Sequence, residues 1–489
     1  MPKSQNVVGE AARNDPLRDY SAKRAAHWDC VAVSRRAKSL FSKAYYRQIL
    51  RAYKFLVPEG SRILEIGCGD GQLLAELKPS KGVGIDFSEA FVSIARDKHE
   101  APHLSFDVMD AHDLRIGGQF DYIIISDLLD DIWDVQLLFE KIAAQADPRA
   151  RIIINSYSKL WEMPLQLARR FGLATPVLRQ NWLSPHDISS MANLSGLEII
   201  RSFPEVLLPV DLWGVGALFN RCAVRLWPFR YLALCNFFIM RQKPASAKRD
   251  HKVSVIVPAR NEAGNITEII DRVPHMGGYT EIIFVEGNSK DATLATIISE
   301  LKRRTDVVIK LFEQDGKGKR NAVEKGFAEA TGDVFMILDA DVSVLPEELR
   351  KFYNVWADGT GELINGVRLS YPMEGKAMRP LNLLANRAFG AIISWVLGQK
   401  IQDTLCGTKV LHRDHYAAIV ANRSYFGDFD PFGDFDLIFG AAKLNLKIVD
   451  LPVRYHERTY GETNISRWSH GALLLRMVFV ALRKFKFYD

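Results

Sequence analysis

Two stretches decide the fold of this chain, Arg62-Ile63-Leu64-Glu65-Ile66-Gly67-Cys68-Gly69-Asp70-Gly71 and Val334-Phe335-Met336-Ile337-Leu338-Asp339-Ala340-Asp341. In each stretch a short apolar run leads directly into glycines or carboxylates. Such runs are typical of strands that are buried on both faces of a parallel sheet, where ligand sites form at the carboxyl ends of the strands. The sequence therefore predicts two α/β domains, each with its own ligand site.

Length and composition agree with two globular domains. The 489 residues exceed what one hydrophobic core usually supports, and 48% of them are hydrophobic. No apolar run reaches the roughly 18 residues of a spanning helix, and residues 1–20 lack the apolar core of a signal peptide. We therefore expect a cytoplasmic protein. Its net charge of +6 suits phosphate-bearing substrates or an anionic membrane, and without an aromatic and basic platform it does not favour nucleic acid.

A polar stretch divides the chain, and the five cysteines include no close pair of the kind that binds zinc or forms a disulfide framework. Strand, turn and helix patterns recur on both sides of this linker. The predicted organisation is a tail and helical segment in 1–44, a first domain in 45–241, a linker in 242–251, a second domain in 252–467 and an amphipathic C-terminal helix in 468–489. We expect the helices before Arg62 to cover the first ligand cleft.

The first site combines a glycine loop with an acidic strand end. Glycines at positions 67, 69 and 71 let the backbone pass close to a ligand. Asp86 ends the next strand, where a carboxylate can accept hydrogen bonds from ribose hydroxyls. Asp110-Ala111 follows the third strand, and residues 120–127 form the fourth.

This set resembles a class I S-adenosylmethionine-dependent methyltransferase, over about residues 45–241. The resemblance implies a Rossmann-like sheet and S-adenosylmethionine as cofactor. It implies that the loop passes the methionine part of the cofactor, that Asp86 holds the ribose and that the adenine lies beside the third strand; the cofactor-binding candidates are Glu65, Gly67, Gly69, Gly71, Asp86, Asp110 and Ala111.

The methyl acceptor is not predicted by these motifs. Methyl transfer needs alignment, and needs a base only when the acceptor is a neutral hydroxyl or amine. The sequence does not rank the candidate bases Asp127, Asp130, Asp131 and His186. An alternative is that this domain is a cofactor-binding scaffold without turnover.

The second site carries acidic strand ends and a cationic loop. Glu262 and Glu286 follow two predicted strands, Gly316-Lys317-Gly318-Lys319 suits a diphosphate, and Asp339-Ala340-Asp341 suits Mg²⁺ or Mn²⁺ that bridges phosphate oxygens. In this order the motifs resemble a family 2 glycosyltransferase with the GT-A fold, over about residues 252–467, in the branch that includes the dolichyl-phosphate mannosyltransferases.

The resemblance assigns roles position by position. Glu262 and Glu286 would contact the nucleoside of a nucleotide-sugar donor, and Asp339 and Asp341 would hold the metal; the donor-binding candidates are Pro258, Arg260, Glu262, Glu286, Lys317, Lys319 and Asp339. The chain departs from the family at Glu286-Gly287, where two aspartates are common, and at Ser343, where the lipid-phosphate branch often has a glutamine that binds the metal.

The catalytic candidates lie downstream. Arg368 and Arg458 can meet the charge that develops on the leaving diphosphate. A hydroxyl acceptor needs a general base, for which Asp403, Asp434 and Asp436 are candidates, whereas a phosphate acceptor needs none. His456 is a possible third metal contact.

We therefore predict a bifunctional enzyme that transfers a sugar to a glycan or polyprenyl-phosphate acceptor and a methyl group from S-adenosylmethionine, in cell-surface glycan or lipid-linked sugar synthesis. The alternative to catalysis is a module that binds nucleotide-sugars or glycan. The apolar C-terminal helix with its basic end could lie in a membrane interface or pack on the domain core, so peripheral membrane contact on the inner face is a further expectation.

Overall fold

A computed structural model describes residues 16–34, 40–115, 117–172, 174–210, 215–244, 249–372, 380–425, 433–458, 460 and 467–488. The chain forms two compact units that divide between Lys243 and Pro244. The expected tail before residue 16 and residues 245–248 of the expected linker lie outside the described residues. The described cysteines are all free thiols.

The first unit contains a seven-stranded sheet in the order β3-β2-β1-β4-β5-β7-β6. The strands β1 to β5 are parallel to their neighbours, and β7 is antiparallel to both β5 and β6. The strand bounds are β1 Arg62–Ile66, β2 Lys81–Asp86, β3 Leu104–Val108, β4 Tyr122–Ser126, β5 Arg151–Tyr157, β6 Leu197–Glu205 and β7 Cys235–Gln242.

Eight helices are described in the first unit, namely α1 Pro16–Val33, α2 Leu40–Leu56, α3 Gln72–Glu76, α4 Glu89–Lys98, α5 Val135–Gln145, α6 Glu162–Arg170, α7 Pro185–Leu194 and α8 Val215–Arg221. Local sequence starts several of them. Ser88 caps α4 by accepting a hydrogen bond from the Phe91 N–H, and Ser184 and Asp187 form a reciprocal capping box at α7. Helices pack on a core in which β1, β4 and β5 supply isoleucines that are fully buried.

The second unit contains a seven-stranded mixed sheet in the order β10-β9-β8-β11-β13-β12-β14. Strand β13 is antiparallel to β11 and β12, and the other pairs are parallel. The strand bounds are β8 Lys252–Ala259, β9 Tyr279–Glu286, β10 Val308–Glu313, β11 Val334–Ile337, β12 Leu363–Val367, β13 Lys409–His412 and β14 Ile448–Pro452.

Its described helices are α9 Ile266–Arg272, α10 Thr293–Arg303, α11 Lys319–Glu329, α12 Leu349–Ala357, α13 Pro380–Leu397, α14 Arg413–Ala421, α15 Asp434–Lys443 and α16 Arg467–Ala481. The core centres on β8, β9 and β11, whose apolar side chains are buried on both faces. Each domain is thus an α/β fold, Rossmann-like first and of the GT-A type second, as the sequence predicts.

The C-terminal helix α16 packs on the second domain, which is one of the two expectations for this segment. Met477 and Ala481 are fully buried and the helix packs against α13, whereas Leu475 and Phe479 are exposed. A basic π-helical turn, Leu482–Lys486, follows. Among the described residues no helix combines the length and the apolar character that a membrane crossing requires.

Candidate active sites

The glycine loop after β1 uses backbone conformations that favour glycine. Gly67, Gly69 and Gly71 have φ of 77°, 50° and 70°. A Cβ on Gly71 would lie 2.7 Å from the Phe106 ring, and one on Gly67 would lie 3.0 Å from Leu128. A Cβ on Gly69 would meet no atom within 4 Å. The protein itself therefore demands glycine at the two outer positions, and the open space lies at Gly69.

Asp86 ties this loop to the end of β2. One carboxylate oxygen accepts a hydrogen bond from the Gly69 N–H at 2.9 Å, and the other accepts one from the Ser88 N–H at 2.9 Å. Burial raises the pKa of Asp86. Because each carboxylate oxygen has two lone pairs, both oxygens keep acceptor capacity for ribose hydroxyls.

Asp110 is held in its ionised form beside the same loop. Its Oδ1 lies 2.8 Å from His112 Nδ1, and His112 Nε2 accepts the Asp134 N–H at 3.2 Å, which places the ring proton on Nδ1. Burial opposes ionisation, but hydrogen bonds from His112 and Ser21 outweigh it and lower the pKa of Asp110 to about 2. A fixed acceptor is thus available next to Ala111.

A cavity brings together four of the predicted positions, and α1 closes one side of it. Glu65, Gly69 and Gly71 are not among its lining residues. Arg24 of α1 is buried and pairs with Asp131, and the Trp28 indole donates to the same carboxylate at 3.0 Å. Helix α1, one of the helices before Arg62, therefore covers the cleft, in agreement with the expectation. The cavity is lined by Tyr20, Ser21, Arg24, Ile66, Gly67, Asp86, Phe87, Met109, Asp110, Ala111, His112, Leu128, Asp131 and Ile132.

Glu65 is a buried carboxyl group directly before this loop. Its Oε2 is enclosed and has no hydrogen-bond partner in the part of the chain that the structure describes. Burial raises the pKa of Glu65 well above its ordinary value, and the nearby Asp70 and Asp86 act in the same direction. This buried oxygen without a partner, directly before the glycine loop, fits a polar group of a bound cofactor.

The structure separates the four candidate bases of the first unit. Asp131 is neutralised by Arg24, and His186 is exposed on α7. Asp127 directly follows β4, has φ of 52° and accepts hydrogen bonds from Tyr45 at 2.7 Å and Asn155 at 2.5 Å. Its side chain is half-buried, and burial raises its pKa to about 7.

Asp130 lies behind Asp127 and is almost completely enclosed, with 1% of the residue exposed. Burial first, and then the Asp127 charge, raise the pKa of Asp130 to about 8. Of the four candidates, Asp127 thus combines access from the carboxyl edge of the sheet with a pKa suited to base catalysis.

In the second unit, Asp339 forms an ion pair with the glycine-rich loop. Lys319 Nζ lies 2.5 Å from Asp339 Oδ1. Burial would raise the pKa of Asp339, but the Lys319 ammonium lowers it below its ordinary value. A Cβ on Gly407 would collide with both members of this pair. Gly407 therefore makes room for the ion pair, a role that sequence reasoning did not identify.

Asp341 forms a second ion pair next to the first. Arg458 lies 2.5 Å from Asp341 Oδ2, and the Ser343 hydroxyl donates to Oδ1 at 2.7 Å. Ser343 therefore supports the aspartate. Glu262 faces this pair, and burial and the Asp341 charge raise the pKa of Glu262 to about 7. The His456 N–H donates to the Ser343 carbonyl at 2.9 Å, and this hydrogen bond holds the segment before Arg458 close to Asp341.

The two carboxylates fit a divalent cation that also binds a diphosphate. Mg²⁺ is usually held by one or two carboxylates together with substrate phosphates. Among the described residues there is no group of three or more His, Cys, Asp and Glu side chains that could hold a metal ion. Asp339 and Asp341 are the residues that would hold such an ion.

The remaining donor-binding candidates surround the ends of β8 and β9. Glu286 accepts hydrogen bonds from the backbone N–H groups of Asn288 at 3.1 Å and Ser289 at 2.6 Å, so it shapes the turn after β9. Pro258 lies in β8 and is half-buried. Arg260 and Lys317 are exposed in the loops that follow β8 and β10.

Asp403 and Arg368 form a buried pair with each other. Arg368 Nε and a terminal nitrogen donate to the two Asp403 oxygens at 2.7 and 2.9 Å. The Leu405 N–H donates to the same carboxylate, which is fully buried. Burial would raise the pKa of Asp403, but Arg368 lowers it below its ordinary value. This geometry favours a positioning role for Asp403 over the expected role as a base.

Asp434 and Asp436 have different partners. Asp434 pairs with the buried Lys409 at 3.0 Å, and its charge is felt by Lys319. Asp436 pairs with Arg423 at 2.7 Å, and Arg423 also lies 3.0 Å from Glu324 on α11. Asp434 therefore belongs to one charge cluster with Lys409, Lys319 and Asp339, which we call the Asp339 cluster. Asp436 belongs to a separate network. Phe432, which precedes α15, and residues 459 and 461–466, which follow Arg458, lie outside the described residues.

Replacing Asp86 by alanine is expected to weaken S-adenosylmethionine binding by roughly 30-fold, since hydrogen bonds to a charged group are lost and the loop loses an anchor. Isothermal titration calorimetry measures this. The matched control is Asp107→Ala, an exposed aspartate on the neighbouring strand that pairs with Arg96 at 3.4 Å. Equal affinities in the two variants would contradict the ribose assignment.

Replacing Gly407 by alanine is expected to raise the KM for the sugar donor by about tenfold with little loss of thermal stability. The added methyl group meets the movable ends of Lys319 and Asp339, so the ion pair shifts while the fold persists. Steady-state kinetics and a melting curve test this. A normal KM would show that the pair is not needed for donor binding.

Comparisons with known proteins address the two units separately. A Methyltransferase domain model matches residues 37–202, and a Glycosyl transferase family 2 model matches residues 254–425. The chain is 25% identical over 220 residues to an undecaprenyl-phosphate 4-deoxy-4-formamido-L-arabinose transferase of Enterobacter sp. (strain 638), covering 44% of this chain and 63% of that protein. It is 27% identical over 233 residues to the low-salt glycan biosynthesis hexosyltransferase Agl6 of Haloferax volcanii, covering 47% of this chain and 53% of that protein. The chain thus spans less than two thirds of these relatives.

Solved structures of both kinds are also similar. Glucosyl-3-phosphoglycerate synthase from Mycobacterium tuberculosis in complex with UDP shares 19% identity, with a TM-score of 0.35 over 49% of this chain and 82% of that one. An S-adenosylmethionine dependent methyltransferase from Mesorhizobium loti shares 20% identity, with a TM-score of 0.32 over 42% of this chain and 100% of that one. The family matches show that the chain carries a methyltransferase domain followed by a family 2 glycosyl transferase domain.

Proposed function

We propose that this two-domain transferase moves a sugar from a nucleotide-sugar to a polyprenyl-phosphate or glycan acceptor, and a methyl group from S-adenosylmethionine to a neutral hydroxyl or amine. The two reactions would serve cell-surface glycan or lipid-linked sugar synthesis. The relative that is named an undecaprenyl-phosphate transferase supports the lipid-phosphate acceptor, and the one named for glycan biosynthesis supports the glycan acceptor.

The pair of ion pairs at the end of β11 carries the sugar-transfer proposal. Asp339 and Asp341 each hold a basic side chain, from Lys319 and Arg458 respectively. A bound divalent cation would be held by the two aspartates and would stabilise charge on the diphosphate. Lys319 and Arg458 would then turn from the aspartates to the diphosphate, where their positive charges would stabilise the negative charge that develops on the leaving group.

Arg368 is a further positive charge near Asp339, and the buried Asp403 holds it in place. Its guanidinium is locked by Asp403 and lies 5.2 Å from the centre of the Tyr455 ring. Its charge also reaches Asp339, whose pKa it helps to lower after Lys319. We assign Arg368 to electrostatic stabilisation and Asp403 to holding it in place, because an ion pair in a buried site keeps its geometry.

The acceptor chemistry decides whether Asp434 acts as a base. A phosphate acceptor is already ionised, so Asp434 would then balance Lys409 and Lys319. A sugar hydroxyl would require proton removal, and Asp434 is the candidate carboxylate that shares the cluster with Asp339.

The cavity beneath α1 carries the methyl-transfer proposal. It brings Gly67, Asp86, Asp110 and Ala111 together, as a ligand with a ribose and an adenine would require. S-adenosylmethionine would supply an electrophilic methyl group on its sulfonium. Asp127 would hold the acceptor in line and take its proton, since it directly follows β4 at the carboxyl edge of the same sheet.

The C-terminal helix supports a location on the inner face of the membrane. Leu475 and Phe479 are exposed on α16, and Arg476 and Arg483 are exposed nearby. A helix with this combination can lie in an anionic interface. We therefore propose a cytoplasmic enzyme in peripheral contact with the membrane.

Two binding assays test the proposal for each domain. Nucleotide-sugars are screened with and without Mn²⁺ for a rise in melting temperature, because a ligand that binds the folded state stabilises it by mass action. S-adenosylmethionine is titrated in parallel. A chain that responds to the nucleotide-sugars but not to S-adenosylmethionine would refute the methyltransferase proposal and leave the glycosyltransferase proposal intact.

A further inference from the structure

Two segments of the methyltransferase unit leave the sheet at the same edge. The ends of β5 and β6 and the start of β7 meet there, since Tyr157 and Glu205 both pair with Cys235. The first segment follows β5 and contains α6. The second connects β6 to β7 and contains α8. This is also the edge at which β1 and β4 end in the glycine loop and Asp127.

Helix α6 does not pack into the core. None of the residues from Glu162 to Arg170 is buried. Met163, Leu167 and Phe171 follow one another at four-residue spacing, so they form one stripe along the helix. Met163 and Phe171 are 66% and 75% exposed. A soluble amphipathic helix normally turns such a stripe inward, and this one turns it outward.

The second segment also exposes large apolar side chains, and buried polar contacts hold its backbone in place. Trp227 and Tyr231 are 77% and 67% exposed, and Leu218 is exposed as well. The buried Asn220 side chain accepts the Leu207 N–H at 2.7 Å and donates to the Leu208 carbonyl at 2.6 Å. Arg225 pairs with the fully buried Glu205 at 2.7 Å. The outward apolar side chains therefore belong to a well-anchored structure.

The two segments form one surface, which we call the rim surface: the exposed side chains of residues 160–171 and 218–232. The Trp161 indole donates to the Leu232 carbonyl at 2.9 Å and joins the segments. Arg170 and Arg230 are exposed, whereas Arg225 is buried and paired with Glu205. Residues 218–232 contain no acidic residue, and residues 160–171 contain one, Glu162. Apolar, aromatic and basic side chains are thus combined, with little negative charge.

We propose that the rim surface docks the methyltransferase unit on an anionic lipid bilayer. Tryptophan and tyrosine favour the interface between lipid and water, and arginines attract acidic headgroups. An exposed apolar patch of this extent needs a partner, and its basic charge favours lipid headgroups over an ordinary protein surface. Docking would turn the carboxyl edge, with Asp127, toward the membrane. The inference is independent of both proposed activities and concerns a surface different from that of α16.

Vesicle sedimentation tests the proposal with the full chain. Vesicles of phosphatidylcholine are compared with vesicles that also contain phosphatidylglycerol, and we expect binding to the anionic vesicles. The variant W227S/Y231S should bind these vesicles at least about tenfold more weakly, since it removes apolar area that the bilayer would bury. Arg170→Glu should weaken binding about fivefold through its charge. The matched controls are Leu194→Ser, 72% exposed on α7 of the same unit, and Arg149→Glu at the opposite edge of the sheet.

The variant L475S/F479S distinguishes the rim surface from α16. If W227S/Y231S binds as well as Leu194→Ser, and L475S/F479S abolishes binding, the rim proposal fails while the proposed membrane contact of α16 stands. Analytical ultracentrifugation supplies the other contrary outcome. A dimer that W227S/Y231S converts to monomer would identify the rim surface as an interface between two copies of this chain. Melting curves verify that each variant is folded.

Discussion

Replacing Asp341 by asparagine is expected to lower sugar transfer by about 10³-fold, because a charged group that preorganises the diphosphate site is lost. Asparagine keeps an oxygen for the Ser343 hydrogen bonds, so the turn persists. It removes the negative charge that pairs with Arg458 and that would hold a divalent cation. The assay measures release of nucleoside diphosphate at saturating Mn²⁺, with the nucleotide-sugar that raises the melting temperature of the wild-type protein as the donor.

The control for this prediction is Asp436→Asn. Asp436 lies two positions after Asp434 on α15, but it pairs with Arg423 in a network outside the cluster. We expect this variant to keep most of the turnover. Full activity of Asp341→Asn at saturating donor would refute the role of Asp341, and loss of activity in both variants with unfolding would show a structural effect instead.

Replacing Asp127 by asparagine is expected to lower methyl transfer by a hundred- to a thousand-fold, about the range of general-base catalysis. The wild-type rate should rise with pH through about 7. The sign follows from the raised pKa, because the carboxyl group is protonated below about pH 7 and accepts a proton only above it. Since Asp127 and Asp130 interact, the profile reports apparent pKa values of the pair.

The control for the base is Asp130→Asn, a carboxylate only three residues away that is enclosed behind Asp127. It should keep most of the turnover and retain the limb near pH 7. Methyl transfer from radiolabelled S-adenosylmethionine is measured between about pH 6 and pH 9 in steps of about one pH unit, a range that brackets the raised pKa values. This pH series separates the two outcomes. A flat profile in the wild type would indicate an acceptor that is already ionised and would exclude Asp127 as a base.

Sequence motifs predicted where the candidate site residues meet, because the geometry of a parallel sheet is local and repetitive. Asp86 and Asp110 follow neighbouring strands, and parallel strands end at one edge. The two aspartates therefore line one cavity together with Gly67. The same argument brought Asp339 to the end of β11, which lies beside β8 in the second sheet.

Sequence motifs did not predict which charges neutralise one another. Asp434 and Asp436 stand in one motif, yet they differ by about 200° around a helix and so meet different partners. Asp434 lies against Lys409 and Asp436 against Arg423. The sequence makes Asp403 a candidate base, but in the folded chain both of its oxygens accept hydrogen bonds from Arg368, which lies 35 positions earlier.

The order of apolar runs, glycines and carboxylates was enough to predict two α/β transferase domains and the sheet edges at which the candidate site residues lie, since strand period and chain direction are encoded within a few residues. The protonation state of each carboxylate, the closure of the cavity by α1 and the outward face of α6 depend on side chains distant in the chain. Arg24 reaches Asp131 across 107 positions, and Trp161 reaches Leu232 across 71. Burial and charge pairing act through space, so they arise only when the folded chain brings such residues together.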